Sequence, residues 1–219
     1  MRWAEKDGVR WLEADLPGSK AVFSTRSAGS AKESHIALAT SLGISPERIV
    51  SGLQVHGTEL AFHAEPVADV PEVDGHVLLA PGPVGLVYAA DCLPVAVAGP
   101  SGVAILHCGW RGLATGIVAR GVEAVGATHA AIGPGIGSCC YEVGEDVSEA
   151  FAGLGPGIAS GRMLDLPEVA RRSLRASGVE EIESAALCTC CEEELFFSHR
   201  RDAGPGRQAG LAWVVDGRR

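Results

Sequence analysis

The chain has 219 residues, 47% of them hydrophobic, enough to close a substantial core without disulfide or metal staples. Aromatic residues make up 5%, so Val, Ala, Leu and Ile must fill that core. The formal charge of -9 repels a phosphate backbone, which argues against bulk nucleic-acid binding but still allows a small anion held by local arginines.

Residues 1–10 are polar and mixed, with no apolar stretch of the kind an export signal needs. Residues 9–15 and 20–26 read as a hairpin turned through Pro17-Gly18. Residues 31–42 are expected to be helical, ended by Gly43. Residues 48–56 and 58–65 read as strands on either side of Gly57, followed by an acidic, proline-containing loop over 69–75. The centre, residues 84–91, 93–98 and 103–107, consists of nearly continuous apolar runs, the pattern of strands covered on both faces. The longest run, 84–98, contains Asp91 and Pro94 and is too short and broken to span a bilayer.

A helix is expected over 112–125 and a short strand over 130–133. Residues 143–154 read as a helix with Glu145 and Asp146 in its first turn, where carboxylates suit the dipole. Residues 165–177 carry the clearest helix signal. Asp165 stands at the N-cap, Pro167 sits early, Leu166, Val169, Ala170 and Leu174 form one stripe, and Gly178 ends it. Residues 182–187 and 211–215 read as final strands. No repeat and no break in composition divides the chain, so residues 1–219 are expected to form one α/β domain. Seven cysteines, an odd number without an export signal, are expected to be reduced in a cytoplasmic protein and to be buried, metal-bound or reactive.

Three zinc-type ligands stand at the ends of expected strands: His56 in Gln-Val-His-Gly, Cys92 in Ala-Asp-Cys-Leu-Pro, and His107 in Leu-His-Cys-Gly-Trp-Arg-Gly. Two imidazoles and a thiolate suit zinc or copper, and three protein ligands leave a position open for water or substrate. Zinc there would lower the pKa of a bound water toward about 7. Buried cysteines and hydrogen-bonded core histidines explain the same residues without a metal. Cys92 paired with His107 or His56 would also make a nucleophile pair. Arg111, in Gly-Trp-Arg-Gly before a helix, reads as an anion site or as a surface arginine paired with a carboxylate.

The Gly-rich stretch 132–140 is neither a Walker loop nor a dinucleotide fingerprint, and reads as a tight turn under a binding cleft. Its Cys139 and Cys140 are expected to be reduced rather than bridged. Cys188, Cys190 and Cys191 resemble half a metal ribbon, without a second cysteine pair at the usual distance. His63, His76 and His129 are expected at the surface or at strand ends, and Glu192, Glu193 and Glu194 on a solvated face.

Taken together, the strings Phe-Ser-Thr-Arg26, Gln54-Val-His-Gly57, Asp74-Gly75, Ala90-Asp-Cys-Leu-Pro94, His107-Cys-Gly-Trp-Arg-Gly112, Cys140-Tyr-Glu-Val-Gly144, Cys188-Thr189 and Phe196-Phe-Ser-x-Arg-Arg-Asp202 resemble one family. It is known under the names laccase-domain or multicopper polyphenol oxidase, peptidoglycan editing factor and purine nucleoside phosphorylase. The resemblance implies an α/β sandwich of mixed sheets covered by helices, with a zinc or copper site at His56, Cys92 and His107. It implies phosphorolysis of adenosine, inosine and methylthioadenosine, and deamination of adenosine. Such an enzyme takes a purine nucleoside and phosphate as partners, with no nucleic acid and no membrane, as a monomer or small homo-oligomer. Arg111 is the candidate for the phosphate, with Arg26 as a second. The same residues serve three alternatives: a copper oxidase of phenols, a hydrolase of a peptidoglycan precursor, and a non-catalytic binding module. Two features depart from the family pattern. The segment 27–44 is short and lacks the usual Asn-Leu-Gly stretch, and Cys108 replaces an alanine, as a small core residue or an extra soft ligand.

Overall fold

The computed structural model describes residues 1–216. Its strands are β1 (Arg2–Lys6), β2 (Val9–Leu16), β3 (Ser19–Ser24), β4 (Ile49–Val50), β5 (Leu60–His63), β6 (Gly75–Leu78), β7 (Val84–Ala89), β8 (Leu93–Gly99), β9 (Gly102–Cys108), β10 (His129–Ile132), β11 (Ala159–Ser160), β12 (Met163–Leu164), β13 (Glu181–Ser184) and β14 (Gln208–Val214). The helices are α1 (Lys32–Leu42), α2 (Trp110–Thr115), α3 (Ile117–Val125), α4 (Glu145–Glu149), α5 (Leu166–Ala176) and α6 (His199–Asp202).

Two six-stranded mixed sheets form the body, in the orders β1-β2-β3-β14-β7-β4 and β13-β10-β8-β9-β6-β5. Side chains alternate across each strand, and that alternation builds three layers of core. Ala96 and Ala98 of β8 and Ile105 of β9 face Leu12, Phe23 and Val87 of the first sheet. Their neighbours Val95, Val97, Ala104 and Leu106 point the other way, into a layer shared with α3 and α5. Trp11, Val22, Leu86 and Leu211 line the outer face of the first sheet, against Leu38 of α1. Strands β8 and β9 are therefore buried on both sides, which is why their sequences read as unbroken apolar runs. The expectation of mixed sheets covered by helices holds.

Helix α5 follows its sequence closely. Asp165 accepts from the backbone N–H of Glu168 at 2.9 Å, and Leu166, Val169, Ala170 and Leu174 are buried. Burying a leucine there contributes about 1.5–3 kcal/mol. Helix α1 ends at Gly43, in the left-handed conformation, as the glycine implies.

Elsewhere the structure corrects the reading. The expected helix over 112–125 is two helices, broken at Gly116 with φ of 96°. The helix expected over 143–154 shrinks to α4 and a separate 3-10 turn at Ala152–Leu154. Strand β13 stops at Ser184, short of Ala186, whose φ is 51°. Of the strand expected over 48–56, Ile49 and Val50 form β4 and Leu53 makes a single parallel bridge to Glu72, and the chain otherwise runs irregularly into β5. Four strands, β1, β6 and the short pair β11 and β12, stand where the sequence gives no strand expectation. In β1 every residue but Ala4 is exposed, three of them charged, and its signal is the Asp7-Gly8 turn, with φ of 54° and 77°, matched to a tight hairpin with β2. β6 begins at the end of the acidic loop and is parallel to β5 and antiparallel to β9.

Candidate metal centre

The antiparallel ladder of β8 and β9 sets Pro94 opposite His107, so Cys92, just ahead of β8, and His107 arrive at one edge of the second sheet. His56 comes to the same point from the irregular segment between β4 and β5. The ligand atoms of His56, Cys92 and His107 all lie within 4.8 Å of one another. The Cys92 Sγ is 3.8 Å from the His56 Nε2, and the two imidazole rings meet edge to face with centroids 4.8 Å apart. His107 is buried, Cys92 half-buried and His56 exposed, so the group opens to solvent on one side.

Asp74, fully buried, organises this arrangement. Its carboxylate accepts from the backbone N–H groups of Val55, His56 and Gly57 at 3.0, 3.0 and 2.7 Å. It also holds the His107 Nδ1 at 2.8 Å, which leaves the His107 Nε2 free for the centre. The turn it stabilises puts His56 at φ of 62°, a conformation few non-glycine residues adopt. The Gln54 side chain fixes the other end of the turn. Its amide donates to the Tyr88 carbonyl and accepts from the Tyr88 N–H, both at 2.8 Å, as a strand neighbour would.

Cys92 follows a second strained residue, Asp91, with φ of 86°. The Asp91 carboxylate accepts from the Thr189 hydroxyl and the Arg200 N–H, each at 2.7 Å. Gly109 caps α2 against the site. A Cβ there would lie 2.9 Å from the His56 Cδ2 and 3.1 Å from the Cys92 Sγ, so the missing side chain leaves the space between the ligands.

The charges of the group are interdependent. Burial alone raises the Cys92 thiol, but the His107 and His56 imidazoles outweigh it and bring it down to about 6. Burial alone lowers His107, but Asp74 and the Cys92 sulfur outweigh it and raise it to about 9. Burial works against the Asp74 carboxylate as well, yet His107 and the N–H groups of Gly57 and Val55 hold it below its ordinary value. A thiolate with two imidazoles, one braced by a carboxylate, is a donor set that fits zinc or copper.

Above the group lies a cleft of about 740 Å³, whose walls include Tyr88, Trp110, Arg111, Tyr141, Arg200 and Arg207. Arg111 lies over the Trp110 ring at 4.5 Å and makes no ion pair among the described residues. Arg200 lies over the Tyr141 ring at 5.3 Å. Burial pushes the Tyr141 hydroxyl up to about 12, so it carries its proton at neutral pH.

Other expected residues fall elsewhere. Arg26 does not line the cleft. It pairs with Asp202 at 3.3 Å, donates to the Phe196 carbonyl at 3.1 Å and lies over the Phe197 ring, so it braces the segment leading into α6. His63 does end a strand, but it and His76 are buried and hydrogen-bonded to each other at 3.0 Å. His129 opens β10, as expected, and Glu192, Glu193 and Glu194 are exposed. Cys108 is fully buried among aliphatic side chains, with its thiol pushed up by burial, and acts as a small core residue. Asp74, Asp91, Gln54, Arg200 and Arg207 were not singled out for the site. Their signals are weak in sequence because each works through backbone partners brought in by the fold.

Residues 24–215 match the family model described as multi-copper polyphenol oxidoreductase laccase. The purine nucleoside phosphorylase YfiH of Escherichia coli is 36% identical over 176 residues, covering 74% of this chain and 72% of that protein. A purine nucleoside phosphorylase of Streptomyces coelicolor is 34% identical over 97% of this chain and 93% of its own. Among solved structures, YlmD of Geobacillus stearothermophilus matches with a TM-score of 0.82 and 29% identity, over 98% of this chain and 99% of that one. A Neisseria meningitidis protein matches with a TM-score of 0.81 and 30% identity, over 94% and 99%. Sequence, fold and the ordered motifs around His56, Cys92 and His107 agree, and the chain belongs to the multi-copper polyphenol oxidoreductase laccase family.

Proposed function

We propose that this chain is a cytoplasmic, zinc-dependent purine nucleoside phosphorylase acting on adenosine, inosine and methylthioadenosine, and that it also deaminates adenosine. The observation that carries the reading is a cleft of about 740 Å³ with His56, Cys92 and His107 at its floor and Arg111 on its wall. The names of the relatives in Escherichia coli and Streptomyces coelicolor support it.

His56, Cys92 and His107 would hold the metal, and when bound there it supplies Lewis-acid polarisation. Asp74 keeps His107 turned toward the site. Arg111, lacking an ion-pair partner among the described residues, binds phosphate and brings it to the anomeric carbon. A bond forms from a phosphate oxygen to that carbon as its bond to the purine nitrogen breaks, and the purine leaves with the electron pair. Trp110 and Tyr141 give the cleft aromatic surface for the purine, and the Tyr141 hydroxyl offers a proton for hydrogen bonding. In deamination, water replaces the amino group and ammonia departs.

The test incubates adenosine and inosine with zinc-loaded protein, with and without phosphate. Ribose 1-phosphate forms when phosphate is present, and ammonia forms from adenosine. If neither product forms, the reading fails. A copper oxidase of phenols is the second reading, favoured by the name of the matching family model. Multicopper chemistry needs several histidine-rich centres. Among the described residues, one group of candidate metal ligands contains histidine, and it contains two.

A further inference from the structure

Four cysteines outside the site just described converge on one point. The sulfurs of Cys139, Cys140, Cys188 and Cys191 all lie within 4.8 Å of one another. Cys191 stands 3.3 Å from Cys139 and 3.4 Å from Cys140, sulfur to sulfur. These are contacts between free thiols, not bonds. Four sulfurs bound tetrahedrally at about 2.3 Å from a zinc ion stand about 3.8 Å apart, so the four thiols are already gathered to nearly that spacing.

We propose that Cys139, Cys140, Cys188 and Cys191 form a second, structural zinc site, in which four thiolates clamp the 137–141 turn to the 188–191 turn. The backbone shows both halves prepared. Gly135 bridges to Cys188, and the Thr189 N–H donates to the Gly135 carbonyl at 3.0 Å. The Gly137 N–H points at the Cys188 sulfur at 3.3 Å, the kind of donor that supports a metal-bound thiolate. Cys188 and Cys191 have the two-residue separation of a zinc knuckle, and the exposed Cys139 and Cys191 give an ion a way in. An all-sulfur tetrahedral set selects zinc over harder cations. Cys190, between two of the ligands, lies outside the group and packs against the core.

The clamp would act on the cleft through short connections. The Cys140 carbonyl accepts from Arg200 at 3.3 Å, Tyr141 follows Cys140 directly, and Thr189 holds Asp91. The zinc would therefore fix the part of the cleft lining that carries Tyr141, Arg200 and Asp91, while the two sheets stand on their own apolar core.

The proposal rests on metal content, independently of turnover. Protein made in zinc-supplemented cells and purified without chelator is analysed for zinc per chain. Wild type is expected to carry two zinc ions. The His56→Ala/Cys92→Ser/His107→Ala variant and the Cys188→Ser/Cys191→Ser variant each carry one, and Cys190→Ser carries two. Cobalt exchanged into the triple variant should give the intense sulfur-to-metal charge transfer of a four-thiolate site. If the double variant does not fold, the exposed Cys139→Ser is expected to lose its second zinc to a chelator at least tenfold faster than wild type. If Cys188→Ser/Cys191→Ser keeps the wild-type zinc content, the proposal is overturned. It is overturned equally if the isolated protein holds iron at these cysteines, or if intact mass shows them joined as disulfides. A wild type whose single zinc disappears with Cys188 and Cys191, and not with His56, leaves this proposal standing and defeats the zinc centre proposed above.

Discussion

Asp74 and His107 meet at 2.8 Å, and neither is open to solvent. The same carboxylate closes the turn that carries His56, so one side chain sets the position of two candidate ligands, one from a loop and one from β9. In Asp74→Asn, one accepting oxygen becomes an NH2 group facing N–H donors. We expect zinc affinity to fall about 10–100-fold, the usual cost of losing a partner behind a ligand. Stability should fall by about 1–3 kcal/mol from unsatisfied buried donors. Chelator competition and urea unfolding measure the two, and an unchanged affinity would show that Asp74 does not orient His107.

Gly109→Ala isolates the space between the ligands. The glycine φ of -78° suits alanine, and the change at a helix cap costs under about 1 kcal/mol. The new Cβ would nevertheless press on His56 and Cys92. Turnover and zinc content should both drop at least tenfold with little change in melting temperature. A variant that keeps full zinc would place the metal elsewhere.

Removing the ligands themselves should separate function from folding. Cys92→Ser, His56→Ala and His107→Ala are each expected to abolish turnover and lower zinc occupancy, with a modest drop in melting temperature. The thiolate loss should hurt most, because it removes the one ligand that neutralises zinc charge. His129→Ala should change neither turnover nor zinc. Unfolding of all three ligand variants would make the centre structural.

Much of this was legible before the fold was known. Asp165 and the stripe of α5, the Gly43 stop and the doubly buried β8 and β9 depend on neighbours in sequence, and the chain states such rules openly. His56, Cys92 and His107 were legible as types and motifs, but their meeting depends on the β8–β9 register and on the Asp74 turn. Arg26, away from the cleft lining, and His76, buried, depart from expectation for a shared reason. Charged and imidazole side chains are expected in solvent or in sites, whereas here Arg26 finds Asp202 and His76 finds His63, partners 176 and 13 residues away.

The two arginines should part company in kinetics. Arg111→Ala is expected to raise the KM for phosphate about tenfold or more, with little loss of stability. Arg26→Ala should lower stability by about 1–2 kcal/mol and leave the phosphate KM nearly unchanged, since its partners are structural. Initial rates across a phosphate series and thermal melts distinguish them, and the opposite pattern would restore Arg26 to the substrate.

The buried His63–His76 pair makes the fold acid-sensitive. Burial holds both imidazoles neutral, His76 down to about 3 from an ordinary 6.5, and the neighbouring His63 adds to that shift. The unfolded chain takes up these protons first as pH falls. Stability from the neutral pair is therefore complete above about pH 6.5 and is lost as pH falls, with the His76 contribution draining toward pH 3 by about 1.4 kcal/mol per pH unit. Urea midpoints between pH 7.5 and 4.5 should decline, and His63→Gln/His76→Gln should decline less steeply. Parallel slopes would assign the acid sensitivity to other groups.

Strand β14 lies inside the first sheet, between β3 and β7, with neighbours on both sides. That position has a consequence for biosynthesis. While residues 208–214 are still within the ribosome, β3 and β7 have no common partner, the sheet stays split, and Tyr88 and Arg207 cannot take their places along the cleft. Assembly of the half that carries the cleft must wait until residues 208–214 have emerged, and a nascent chain stalled before Gln208 should remain open to protease and to chaperones.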